Sequence, residues 1–236
     1  MLGPMHGRVR PAVLLFVAIP ALAQTGEEIL TRVDRLRHPW PVFSVDLTVK
    51  NAKTEQRWKV SARDNGDARL DGLSPKERGR SVLMLGDQMW LLLPGVKRPV
   101  RVTPQQRLLG PAAGGEVART RFREDYRVVE MSEQTLEGRR CWRLDLVARH
   151  PSTSARQVML WVAQEGVLPL LAEFHLASGK LARTAHFAPP LQALGRAVLS
   201  EMLLTEADGS AVTLRFSNWI RGGVEPSTFE LPRAQR

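Results

Sequence analysis

One cysteine, Cys141, stands in the whole chain, so no intrachain disulfide can form and stability rests on packing alone. No His or Lys neighbours Cys141 in the sequence to depress its pKa, which argues against a reactive thiol. The five histidines, His6, His38, His150, His175 and His186, include no HxxxH or HxH pair, so no metal-ligand spacing is present. No serine sits in GxSxG, and there is neither a P-loop nor GxGxxG. The glycines between positions 110 and 115 have the wrong spacing and follow no strand-to-helix context. Paired carboxylates at Glu27-Glu28 and Glu124-Asp125 fall on predicted helices and read as solvated faces rather than acid–base pairs. No block of like charge exceeds three residues. Nucleic acid would need a basic patch interleaved with stacking aromatics. Catalysis, metal or cofactor chemistry and nucleic-acid binding therefore have no motif here.

Long apolar runs are also missing, apart from a short one at the start. Residues 12–19 are apolar, Arg8 and Arg10 precede them, and Ala21-Leu22-Ala23 supplies small residues at a signal-peptidase site. Residues 1–23 are expected to be a signal peptide, too short to span a bilayer. The first mature residue is then Gln24, where an acylated lipoprotein would carry Cys, so a soluble exported protein is expected. At 236 residues, 43% hydrophobic and 25% charged, the chain is long enough for one sizeable core, and residues 24–236 are expected to form a single domain. Net charge is +10, and +8 without Arg8 and Arg10. The excess reads as solvated outer strand positions, as at Arg57, Lys59 and Arg63, or as attraction for anionic phospholipid headgroups.

What is present is strand pattern. Two apolar runs, residues 81–85 and 89–93, flank a hairpin turn at Gly86-Asp87-Gln88, and Pro94-Gly95 turns the chain into a strand over 99–103. Residues 89–93 are apolar on both faces, so a protein element or a ligand must cover the second face. Upstream, Thr25 and Glu28 have capping-box spacing, and Ile29, Val33 and Leu36 follow at i, i+4 and i+7. That predicts an amphipathic helix ending before Pro39. Phe43, Val45, Leu47 and Val49 alternate with polar residues, as do Trp58, Val60 and Ala62 in the next strand. Residues 104–125 break the pattern. They read as a long surface connection, with a short helix over 117–125, or as a mobile lid whose apolar side is Leu108, Leu109, Val117 and Phe122. Strands resume at Tyr126 and continue to the end, giving about eleven strands and two helices by this pattern.

A sheet of that length must curl or close. Its concave face is expected to carry Phe43, Val45, Leu47, Trp58, Val60, Trp142, Leu144, Leu146, Phe174, Leu214 and Phe216. Trp90 and Leu92 join them as ligand contacts because their strand is apolar on both faces. Trp58, Trp142 and Phe174 also read as packed core. Either the N-terminal helix plugs the interior, or a cavity remains for an apolar ligand.

The layout of an export signal, a short amphipathic helix, a meander with VLMLGDQMWLLLPGVKRPVRVTPQQRLLG, a segment VARTRFREDY and a closing RFSNWIRGGVEPSTFELP resembles the LolA-like outer-membrane lipoprotein-sorting family. The similarity covers roughly residues 25–232. Some members of the branch it resembles appear alongside large lipid-exporting transporters. The fold implied is mainly β (α+β): an unclosed, strongly curled antiparallel β-barrel with helices covering the concave face.

The role implied by the resemblance is a periplasmic, monomeric carrier that holds acyl chains of a lipoprotein or phospholipid and moves them between membranes. An inner-membrane transporter and an outer-membrane receptor are the implied partners, and no cofactor or catalysis is implied. Each exposed methylene costs about 0.8 kcal/mol in water, so a multi-acylated cargo needs shielding. The arginine that clasps the carrier's lid maps onto no single position, since Arg80, Arg98 and Arg101 compete. An envelope adaptor or sensor working with a membrane lipid transporter is the alternative. A lipid-modifying enzyme would need a nucleophile and a base converging inside the same pocket.

Overall fold

The computed structural model of the chain describes residues 24–103, 120–151, 153 and 155–232. The expected signal segment and the lid residues Leu108, Leu109 and Val117 lie outside the described residues. Thr25 closes a capping box: its Oγ1 accepts the Glu28 N–H at 3.3 Å, and the Glu28 carboxylate accepts the Thr25 N–H at 2.9 Å. Helix α1 (Gly26–Arg37) follows and buries Ile29, Leu30, Val33 and Leu36. Each such side chain contributes roughly 1.5–3 kcal/mol when fully buried.

The strands are β1 (Val42–Lys50), β2 (Glu55–Arg63), β3 (Ala68–Gly72), β4 (Ser81–Leu85), β5 (Gln88–Leu92) and β6 (Val100–Val102). A single helical turn, α2 (Phe122–Asp125), then leads into β7 (Tyr126–Leu136), β8 (Arg139–Ala148), β9 (Gln157–Ala163), β10 (Leu168–His175) and β11 (Leu181–Phe187). A small hairpin, β12 (Leu191–Ala193) and β13 (Arg196–Val198), precedes β14 (Glu201–Glu206), β15 (Ala211–Arg221) and a 3-10 turn at Pro226–Phe229.

Among the described residues, thirteen strands form one antiparallel sheet in the order β6-β5-β4-β3-β2-β1-β15-β14-β11-β10-β9-β8-β7. Its edges, β6 and β7, are not paired with one another, so the curled sheet stays unclosed. The register defines inward rows. Leu144, Leu160, Ala172, Ala185 and Leu204 lie opposite one another from β8 to β14. Phe43, Ala62, Ala68, Met84, Met89 and Val102 do the same from β1 to β6. These rows and Ile29, Leu30 and Val33 of α1 belong to one hydrophobic core.

The strand count exceeds the expected eleven. The sequence pattern misses β3 because Arg69 and Asp71 leave it just Ala68 and Leu70 as apolar signal. Residues 196–205 read as one strand, yet they divide at Leu199, whose N–H donates to the Leu36 carbonyl at 2.7 Å. A bulge also interrupts β15: Asp46 pairs with Ser217, but Ser44 pairs with Ile220, so β15 carries one extra residue. Asn218 absorbs it at φ 53 and donates from Nδ2 to Asp46 at 2.8 Å.

Candidate functional site

Helix α1 crosses the concave face. At its start, a Cβ on Gly26 would lie 3.0 Å from Val128 and 3.1 Å from Leu144, and its last turn is bonded to Leu199. Phe122 of α2 is fully buried and stacks 6.5 Å from Phe174. Helix α1 and α2 thereby fill the part of the interior near β7 and β8.

Beyond the C-terminal end of α1 a groove remains. Phe43, Val45, Val60, Ala62, Ala68, Leu70, Met84, Phe216 and Trp219 supply its apolar walls, and Arg37, His38, Arg63 and Asp67 also line it. Its atom-free space is about 470 Å³, counting the part open to solvent. Trp219 anchors the aromatic side, with ring centroids 5.4 Å from Phe43 and 6.2 Å from Phe216. Such walls favour hydrocarbon, while the titratable groups set one polar margin. Arg63 lies 4.1 Å over the Phe229 ring and pairs with Asp67 at 3.9 Å. Among the described residues the lining holds no hydroxyl or thiol side chain.

At the margin of the groove, Arg37 belongs to a buried charge pair with Asp34. Asp34 accepts backbone N–H bonds from Phe122 at 2.9 Å and Arg123 at 2.8 Å. Burial raises its carboxyl to about 6, against the lowering pull of those N–H groups and of Arg37. Burial likewise lowers the Arg37 guanidinium to about 10, with Asp34 and Asp125 opposing. Arg37 sits 5.2 Å over the Phe122 ring. Arg37 thus meets a described residue of the 104–125 segment, and the Arg149 N–H also meets one, donating to the Asp125 carbonyl at 2.8 Å. Arg80 instead pairs with Glu77 at 3.1 Å, Arg101 lies opposite Trp90, and Arg98 is exposed.

Of the residues expected in a cavity, Phe43, Val45, Val60 and Phe216 line the groove. Leu47, Leu144, Leu146, Phe174 and Leu214 are buried in the core, and Trp58 and Trp142 are half-buried against it. Trp90 and Leu92 do not join them. Met89 takes the inward position in the row Met84–Met89–Val102, so alternation turns Trp90 and Leu92 to the convex face, opposite Leu83 and Ser81.

Four side chains escape the sequence pattern. Asp34 and Arg37 lie four and seven residues after Leu30, on the apolar stripe of α1, and that spacing is the available signal. Arg183 is fully buried and in phase with Ala185 and Phe187. Trp219 points inward because of the bulge at Asn218, against strict alternation from Leu214 and Phe216.

Residues 71–229 match a family described as "Uncharacterized protein". No curated protein matches the sequence. The structure of a LolA superfamily protein from Nitrosomonas europaea is similar, with a TM-score of 0.78 at 26% identity over 88% of this chain and 98% of that one. A domain from Vibrio parahaemolyticus, titled for outer membrane lipoprotein sorting, matches with a TM-score of 0.71 at 20% identity over 86% and 95%. A DUF1329 family protein from Desulfovibrio piger matches with a TM-score of 0.72 at 15% identity over 87% and 95%. The last two likenesses are of fold.

Proposed function

The chain belongs to the family that matches residues 71–229 and shares the fold of LolA superfamily proteins, and from that premise we propose that it is a LolA-like periplasmic carrier of acyl chains. In this proposal residues 1–23 direct export and are removed before Gln24, leaving one soluble domain. The groove receives hydrocarbon from a lipoprotein or a phospholipid, and the chain carries it between membranes without chemical change.

The observation that supports this reading is the groove itself, an apolar space on the concave face of an unclosed sheet. An aqueous crossing exposes every methylene of a free acyl chain at about 0.8 kcal/mol each, so shielding alone supplies what the cargo needs. Among the described residues no helix is long and apolar enough to cross a membrane.

Native mass spectrometry with lipid extraction, on mature protein purified gently from an envelope fraction, tests the proposal. Bound phospholipid or acylated peptide is the expected result and names the cargo class. A mass without adduct that persists after incubation with lipid would overturn the carrier reading. It would favour an adaptor that contacts a membrane lipid transporter.

A further inference from the structure

Two turns stand side by side at one end of the sheet, residues 73–80 between β3 and β4 and residues 93–99 between β5 and β6. A Cβ on Gly79 would lie 3.2 Å from Pro94, and Ser81 pairs with Leu92 at their base. The turns carry Lys76, Arg78, Arg80, Lys97 and Arg98 against one acid, Glu77. That acid is withdrawn from the surface. Glu77 is buried, and its carboxylate accepts bonds from Gln56 at 3.0 Å and Arg80 at 3.1 Å. Lys76, Arg78, Lys97 and Arg98 remain exposed.

Apolar side chains project among these cations. Leu73 is 41% exposed, Leu93 37% and Val96 48%, with Val100 at 45% beside them. Their presentation is built in. The N–H groups of Leu73 and Ser74 donate to the Arg57 carbonyl at 2.8 and 3.3 Å, and the Arg57 N–H donates to Ser74 Oγ at 2.8 Å. In the second turn the Val96 N–H donates to the Leu93 carbonyl at 3.1 Å, and Gly95 takes φ 76. Val100 lies opposite Leu91, so the tip adjoins the apolar concave face.

We propose that this two-turn tip docks on an anionic phospholipid bilayer. Leu73, Leu93 and Val96 enter the boundary between headgroups and acyl chains, and Lys76, Arg78, Lys97 and Arg98 lie against the phosphates. Apolar side chains on two turn tips, ringed by cations, match a charged layer with hydrocarbon directly beneath it. A folded acidic protein would match the cations alone. The docking surface is separate from the groove and goes beyond the carrier role.

The test is co-sedimentation of the mature protein with vesicles of phosphatidylethanolamine and phosphatidylglycerol, against vesicles of phosphatidylcholine alone, at low and high salt. Wild type is expected to bind the anionic vesicles selectively and to release them as salt rises. Each Lys or Arg held at such a surface strengthens binding about fivefold, so K76Q/R78Q/K97Q/R98Q should weaken it roughly a hundredfold or more. L93S/V96S should weaken it about tenfold on the same vesicles. R139Q/R140Q, at the turn between β7 and β8, should bind as wild type. Equal binding to both vesicles, binding to neither, or an unaltered quadruple variant overturns the proposal. If the quadruple variant is weakened but L93S/V96S binds as wild type, the tip is a general polyanion surface and the bilayer assignment falls. Lipid extracted from each variant is measured in parallel. A variant that loses vesicle binding yet keeps its cargo separates this surface from the groove.

Discussion

Asp34 on α1 accepts the backbone N–H of Phe122 on α2 at 2.9 Å, across 88 residues of chain. It accepts the Arg123 N–H as well, and so caps a helical turn whose own preceding residue, Arg121, makes no side-chain cap. The contact ties the helix on the concave face to the start of the edge strand β7.

The protonation of Asp34 is therefore linked to folding. Its carboxyl rises from an ordinary 3.8 to about 6 through burial, so the folded chain keeps a proton that the unfolded chain has released. The resulting stabilisation is fully present below pH 3.8, shrinks as pH climbs, and is lost above about 6. Denaturant titrations from about pH 4 to pH 7 should show wild type losing up to ~3 kcal/mol relative to Asp34→Asn. A gap between the two proteins that stays constant with pH would contradict this linkage.

Arg183 has no exposed surface, and its Nη2 lies 3.2 Å from the Glu206 carboxylate, which is 24% exposed. The two partners are unequal. Glu206→Leu takes a carboxylate away from a fully buried guanidinium and should cost ~3 kcal/mol or more, whereas Arg183→Met leaves a carboxylate that water can still reach and should cost less. The double variant should be more stable than Glu206→Leu alone, measured by chemical denaturation. Equal losses for the two single variants would show that burial does not decide the asymmetry.

Ala62 and Ala68 face each other across β2 and β3 on the groove wall. Ala62→Phe with Ala68→Phe should fill the groove and reduce co-purifying lipid severalfold, while circular dichroism reports an intact sheet. Trp90→Ser, on the convex face, should leave lipid content unchanged. Lipid loss in Trp90→Ser, with retention in the filled variant, would place the cargo elsewhere.

A Cβ on Gly72 would come 2.1 Å from the Glu77 carbonyl oxygen and 2.6 Å from its carbon. Backbone, not a flexible side chain, would have to move. Gly72→Ala should cost ~2–3 kcal/mol and loosen the turn at residues 73–80. Hydrogen exchange should quicken at the Glu77 and Arg80 amides, which are bonded within that turn. Unchanged exchange and stability would mean that the close approach is not what shapes the turn.

The features of this molecule that depend on near neighbours are legible in its sequence. The capping box joins residues three apart, and strands β1 and β2 declare themselves by alternation two residues apart. The curl follows from strand number. Period two, however, says which residues share a face and not which face turns inward. Trp90 and Met89 are equivalent in that respect until pairing with Met84 and Val102 chooses Met89. Strict alternation turns Trp219 outward, and one left-handed residue at Asn218 reverses it. Asp34 and Arg37 lie on an apolar stripe whose meaning depends on a partner 88 residues from Asp34. The cations of residues 76–98 read as separate surface charges until β4 and β5 bring two turns together around Leu73 and Leu93. Local periodicity thus determined most of the elements and which residues share a face, though not β3 or the division at Leu199. Long-range register, one bulge and the placement of α1 decided which faces meet, because those choices are settled by contacts between residues that the chain keeps far apart.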